Sequence, residues 1–202
     1  WARRPEAPLL VFRPRAADGL GARLRAMKGS LLVAMAAGRV LRVRWREPYP
    51  LETLVRPEGL DWREAPHPAE PRAADIETLC LPSADGTPLE GGDACARHRA
   101  ALEADDLTAA YSQRVLEVTS LADPLALLEK NPHYAAALRA LRADCPRRMG
   151  CLYRFLFSPQ PVVETQLRAA LAGEGGAASS TPPPAHVAVQ VRDQLWRREA
   201  DK

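Results

Sequence analysis

LLVFRPRAADGLGARLRAMKGSLLVAMAAGRVLRVRW, residues 9–45, decides the fold. An apolar run, Leu9 to Phe12, enters a turn at Ala16-Ala17-Asp18-Gly19. A helical pattern follows, with Leu20, Leu24, Met27, Leu31 and Met35 spaced to share one face. Gly38 suits a left-handed cap, and Val40 to Trp45 resumes the alternation of a strand. Strand, turn, helix and strand make a β-α-β unit. Such a unit favours a parallel sheet with the glycine turn at its carboxyl edge.

Beyond this unit the elements come in short pieces. Arg46 to Pro50 turns the chain, Leu51 to Val55 suits one helical turn, and Pro57-Glu58-Gly59 breaks it. Leu60 to Pro71 reads as a loop rich in Trp and Pro, Ile76 to Leu81 as a short strand, and Ser83 to Asp93 as a surface loop. Ala94 to Ala110 is expected to be one helix, with Asp105-Asp106 as solvated charge on its face, and Arg114 to Thr119 the next strand. Asp123-Pro124 supplies a helix start for Leu121 to Leu128, Asn131-Pro132 interrupts it, and His133 to Ala143 makes a further helix. Cys151 to Phe157 is short and apolar, and Val162 to Leu171 is an amphipathic helix. GEGGAASSTPPP, residues 173–184, has the composition of a linker, and Val187 to Val191 that of a buried strand.

With 202 residues, 47% of them hydrophobic, the chain can bury one good core. Its 28 basic residues against 25 acidic ones are too evenly balanced to argue for nucleic acid. No apolar run reaches the length of a membrane-spanning helix. Because the chain starts at Trp1 and stops at Lys202, soon after a strand begins, it is expected to be a fragment with both ends missing, any membrane anchor lying in an absent N-terminal segment. Cys80, Cys95, Cys145 and Cys151 lack the spacing of a zinc site. Two disulfides or free buried pairs both fit; if bridges form, Cys145 with Cys151 is the natural local pair.

Two places could carry chemistry. Gly19-Leu20-Gly21 offers approachable amides at a helix N-terminus, with Arg15 and Arg23 nearby, and suits an anion; the same glycines also suit nothing more than a tight turn. A dinucleotide fingerprint would need a third glycine where Leu24 stands, and an acidic residue where Arg44 and Trp45 stand. An NADP-binding oxidoreductase survives only through Arg44, which could meet a 2′-phosphate. Arg192, leaving the last strand, is placed to bind a phosphate oxygen pair, although Arg197, Arg198 and Lys202 beside it suit an exposed basic tail. His67, His98, His133 and His186 show no metal-ligand spacing, and no serine stands in a nucleophile elbow.

Asp18 to Ala26, then Ala37 to Leu41, Trp45, Pro48-Tyr49-Pro50-Leu51-Glu52 and Gly59-Leu60-Asp61-Trp62 together resemble the amino-terminal domain of GT-B fold fucosyltransferases. The pattern is most similar to the xyloglucan and protein O-fucosyltransferase-like groups. CLYRFLFSP, residues 151–159, resembles the segment before the domain junction of that family. VAVQVRD, residues 187–193, resembles the first strand of its second domain. The likeness runs through most of the chain in the same order and is patchy between residues 63 and 144. The family commonly has Asn where Ala22 stands, and His where Gln190 stands.

The resemblance implies an α/β, Rossmann-like parallel sheet domain over residues 1–172, a linker over 173–185, and the first strand of a truncated second domain over 186–202. It implies metal-independent transfer of fucose from GDP-fucose to a glycan or protein hydroxyl, in the lumen of the Golgi or endoplasmic reticulum. Arg192 would bind the β-phosphate and stabilise departing GDP, with Gln190 donating a hydrogen bond and Gly19, Gly21 and Arg23 facing the cleft. As a fragment the chain is expected to be inactive alone. The departures at Ala22 and Gln190 keep open a non-catalytic glycan-binding or scaffolding protein.

Overall fold

A computed structural model describes residues 7–15, 18–64, 73–81, 92–119, 123–144 and 148–173. The decisive stretch folds into β1 (Leu9–Phe12), α1 (Leu20–Ala36) and β2 (Val40–Val43). After it come β3 (Val55–Pro57), β4 (Ile76–Leu79), α2 (Gly92–Ala104), α3 (Leu107–Ala110) and β5 (Val115–Val118). The last elements are α4 (Leu125–Leu128), α5 (Ala135–Asp144), α6 (Arg148–Leu156), β6 (Phe157–Pro159) and α7 (Pro161–Gly173). The chain divides into two compact units, Trp1–Glu164 and Thr165–Lys202. The expected linker after residue 173 and the expected strand at Val187 to Val191 lie outside the described residues.

The main sheet runs β2-β1-β5-β4, and every pair in it is parallel. Leu9 stands opposite Val40 on one side and Val115 on the other. Parallel strands need crossovers that lie over the faces, so their residues are apolar in unbroken runs. LLVF follows that rule throughout, VLRV and VLEV all but for the partly exposed Arg42 and Glu117, and Leu10, Phe12, Leu41 and Leu116 are fully buried. Gly38, at φ +63, returns the chain from α1 into β2 in a conformation that glycine adopts without steric cost.

α1 departs from its expected single apolar face. Leu20 and Met35 are exposed, while Ala26 to Ala34 are all buried around the circumference of the helix. Two polar groups are buried with them. Ser30 returns its hydroxyl to Ala26 O (2.9 Å), and Lys28 pairs with Asp123 just ahead of α4.

A second, two-stranded sheet joins β3 to β6 in antiparallel fashion, Val55 opposite Pro159. Neither strand was expected: each has three residues, each ends in proline, and their partners lie about a hundred residues away. The loop read into residues 60–71 is, in its described part, a piece of the core. Trp62 is fully buried and donates Nε1–H to Leu156 O (2.6 Å), and Val43 forms a parallel bridge with Arg63. Gly59 N donates to Phe155 O at 2.8 Å, so backbone meets backbone where a side chain would have no room.

The expected single helix from 94 to 110 is broken in two by Asp106. Its carboxylate caps α3, accepting from Thr108 N (2.9 Å) and Thr108 Oγ1 (2.7 Å), and these bonds hold it below the usual aspartate range. Asn131, fully buried, closes the end of α2: its amide donates to Leu102 O (3.1 Å) and Asp105 O (2.9 Å), and its oxygen accepts from His133 N (2.9 Å). Cys80 and Cys95 form a disulfide that ties the end of β4 to α2 across a sequence separation of 15. A loop of that size contributes about 3 kcal/mol by restricting the unfolded chain. Cys151 is also disulfide-bonded. Cys145, its expected partner, lies outside the described residues.

A Cβ built on Gly59 would run into the Phe155 ring and lie 3.1 Å from the Phe155 carbonyl oxygen. Gly59→Ala should therefore cost about 1–3 kcal/mol through overpacking, read as a lower midpoint of urea unfolding. Phe155→Ala should recover part of that loss in the double variant; additive losses would show that the ring is not the obstacle.

Candidate functional site

Open α/β sheets take ligands outside the carboxyl ends of their strands, where the strand order reverses. Here that place lies at β1, which has β2 on one side and β5 on the other. The chain leaving β1 stays on β5: Arg13 N donates to Val118 O (2.8 Å), and its guanidinium reaches Glu117 (3.0 Å). It then enters the Gly19 turn, where Asp18 accepts from the backbone and guanidinium of Arg15 at 3.3 Å.

Gly19 caps α1 in an extended conformation (φ −66, ψ 151) and, being glycine, brings no side-chain cap to the first turn. A Cβ at Gly19 or Gly21 would meet nothing within 4 Å. Neither strain nor crowding at this turn therefore demands a glycine. What the two glycines do is leave exposed, uncovered backbone at the N-terminus of a 17-residue helix, where N–H groups point outward.

Arg23 holds this turn in place. It is buried at 2% exposure, donates Nε–H to Asp18 O (2.6 Å) and Nη1 to Glu47 O, and stacks over Trp45 at 5.2 Å from the ring centroid. Burial lowers its pKa, opposed by the fields of Asp18 and Glu47. One guanidinium thus joins the turn after β1 to the loop after β2, where the Glu47–Pro48 bond is cis. Spacing showed Arg23 close to the glycines but gave no signal of this span, because its second partner is a backbone carbonyl 24 residues away.

Arg44 is engaged elsewhere. Its Nε donates to Glu64 (2.7 Å) and a second nitrogen binds the same oxygen, which together with Arg46 holds Glu64 below the usual glutamate range. Ala22 sits half-buried on the first turn of α1. Gln190, Arg192, His67 and His186 lie outside the described residues.

His98, on α2, is buried at 6% exposure. Its Nδ1 accepts from Cys80 N (3.0 Å) and its Nε2 faces Glu77 (3.3 Å), beside the disulfide. The Tyr111 ring lies 6.1 Å away, and burial, with the fields of Glu77 and Asp105, pushes its hydroxyl up to about 12. With Nδ1 taken by a backbone amide, this corner fastens β4 to α2. Among the described residues no group of three or more His, Cys, Asp or Glu side chains could hold a metal, and no helix is long and apolar enough to cross a membrane.

No family model matches the sequence, and no curated protein matches it. A solved structure of an arginine-to-lysine mutant of Arabidopsis thaliana FUT1 in complex with GDP is similar, with a TM-score of 0.55 and 16% identity. The likeness covers 90% of this chain and 46% of that one, so this chain spans about half the length of its structural neighbour. The α/β fold with its parallel sheet matches that of a GT-B fucosyltransferase.

Arg23→Ala should leave two backbone carbonyls without their donor, at about 1–3 kcal/mol for each that stays buried, and speed amide exchange across Gly19 to Arg23. Arg23→Lys should recover little, since an ammonium lacks the fork that spans both oxygens. Exchange at the turn unchanged in both variants would show that the guanidinium holds nothing there. Acid should act on the Arg44 contact. Glu64 titrates lower folded than unfolded, so its contribution is complete above the ordinary glutamate range and is lost as pH falls through the lower folded value. Glu64→Gln should flatten that acid limb in pH-dependent unfolding.

Proposed function

We propose that the protein is a fucosyltransferase-like glycosyltransferase of the GT-B type that binds GDP-fucose and transfers fucose to a hydroxyl of a glycan or a protein. The observation that carries this reading is the likeness in fold to a GDP-bound neighbour over 90% of the chain. It is supported by the open glycine turn at the strand-order reversal, the place where such sheets take their ligands.

In this reading the acceptor oxygen attacks the anomeric carbon of fucose, the bond to the β-phosphate oxygen breaks, and the acceptor proton passes to a base. Negative charge gathers on the departing diphosphate. Arg192 would meet it with two N–H groups and a full charge, which is the electrostatic help such a transfer needs without a metal. Gln190 would donate a further hydrogen bond. Gly19 and Gly21 would shape the sugar side of the cleft, and Arg23 would hold them there. A lumenal home, in the Golgi or endoplasmic reticulum, is favoured by the Cys80–Cys95 disulfide, a bond that oxidising compartments maintain.

Two other readings weigh less. A non-catalytic glycan-binding protein is favoured by Ala22, which cannot donate the hydrogen bond of an asparagine. An NADP-binding oxidoreductase would need Arg44, which is held by Glu64.

Calorimetric titration of the protein with GDP, GDP-fucose and NADP discriminates among the three. GDP and GDP-fucose should bind, Arg192→Ala should weaken both by about a hundredfold as a charge-assisted phosphate contact is lost, and NADP should not bind. Glycan binding without GDP binding would favour the non-catalytic protein, and equal binding by Arg192→Ala would remove that residue from the donor site.

A further inference from the structure

The outer edge of the sheet carries a feature that the glycine turn does not explain. Along β2 and its extension, Val43 and Trp45 turn inward and are buried, whereas Arg42, Arg44 and Arg46 alternate outward. The segment 61–64 runs beside them, tied by Val43 N to Trp62 O at 2.8 Å, with Trp62 inward and Asp61, Arg63 and Glu64 at least half exposed or lying partly open on the outer side. Six charged groups thus share one face.

They are not evenly matched. Asp61 accepts from Arg63 through Nε (2.8 Å) and Nη2 (2.9 Å), and Arg42 donates to the Asp61 carbonyl. Glu64 accepts from both Arg44 and Arg46. Glu64 thus serves two arginines and the Asp61 carboxylate one, with Arg42 on the Asp61 backbone; among the described residues of this face, four guanidiniums meet two carboxylates, a surplus of two positive charges reduced towards one by Glu52, whose field reaches Arg63. Arg46 keeps 78% of its side chain exposed and Arg63 keeps 56%. The carboxylates hold the guanidiniums in position without neutralising them as a group.

Alternate residues on a strand stand about 6.6 Å apart, so the roots of Arg42, Arg44 and Arg46 spread over about 13 Å. That is a line of cations. A single phosphate would meet one of them; an extended ligand with repeated anionic groups can follow the whole line, drawn by its surplus charge and meeting directly the exposed guanidinium of Arg46. We propose that this face binds an extended anionic glycan, bearing sulfates or carboxylates, as the acceptor chain of the transfer. The choice of a glycan over other polyanions rests on the glycosyltransferase reading.

The test titrates the protein with four probes: a heparin octasaccharide, an oligogalacturonate, a neutral cello-oligosaccharide, and single-stranded DNA matched in charge to the heparin. At least one anionic glycan should bind, more weakly as salt rises, and the two anionic arms tell sulfate from carboxylate. The Arg46→Ala/Arg63→Ala double variant should weaken that binding by about tenfold or more. Glu64→Gln should strengthen it several-fold by removing the shared counter-charge, an effect that a damaged fold would not give. Equal binding of the neutral sugar, DNA binding as tight as the glycans, or indifference to all three substitutions would overturn the proposal. The same variants are titrated with GDP: anionic glycan binding in a protein that ignores GDP would end the acceptor role by failure of the transferase reading, whereas GDP binding without glycan binding would end the proposal alone.

Discussion

Parallel pairing on both sides of β1 is the constraint from which the rest of the structure follows. A strand with parallel neighbours cannot be reached by hairpins, so the chain must cross over each time, and its crossovers become the cover of the sheet. β1 is consequently shut off from water, and α1, lying in the first crossover, is buried around its middle rather than along one stripe. Lys28 is drawn in with it and has to be answered by Asp123. The carboxyl edge is where backbone becomes free again, and there the glycine turn, the arginine that braces it and the charged edge of β2 all collect.

Arg23 shows how such an edge is kept in order. A guanidinium withdrawn from water is costly unless fixed acceptors replace its hydration, and Asp18 O, Glu47 O and the face of Trp45 supply them. The exposed turn is in this way built on a buried support. Gly19 and Gly21 can stay bare because the position of their backbone is set by a side chain beneath it.

The parts of this structure legible in sequence are those whose cause is local. LLVF, VLRV and VLEV announce buried strands by composition, and Gly38 announces its own positive φ, whereas the single apolar face read into the helix between them gave way to burial all round its middle. What stayed hidden depends on distant partners. β3 and β6 have three residues each and exist because they meet; Trp62 looks like a loop residue until Leu156 O receives its N–H. Asp106 looked like solvated charge because a cap is recognisable only once the helix is known to break there. The burial of His98 had no signal in its own segment because its partners, Cys80 and Glu77, stand on another element. At the candidate site, the glycine turn was legible and its brace was not, for the same reason.

Asn131 carries a further consequence, one of timing. The carbonyls that end α2 are completed by an amide 26 to 30 residues further along the chain. As the polypeptide emerges from a ribosome, α2 can form its early turns long before that amide exists, yet its last turn must remain hydrated and frayed until residue 131 has been made and folded back. The end of α2 and the start of α5 are therefore born at different moments and become native together, as one cooperative block.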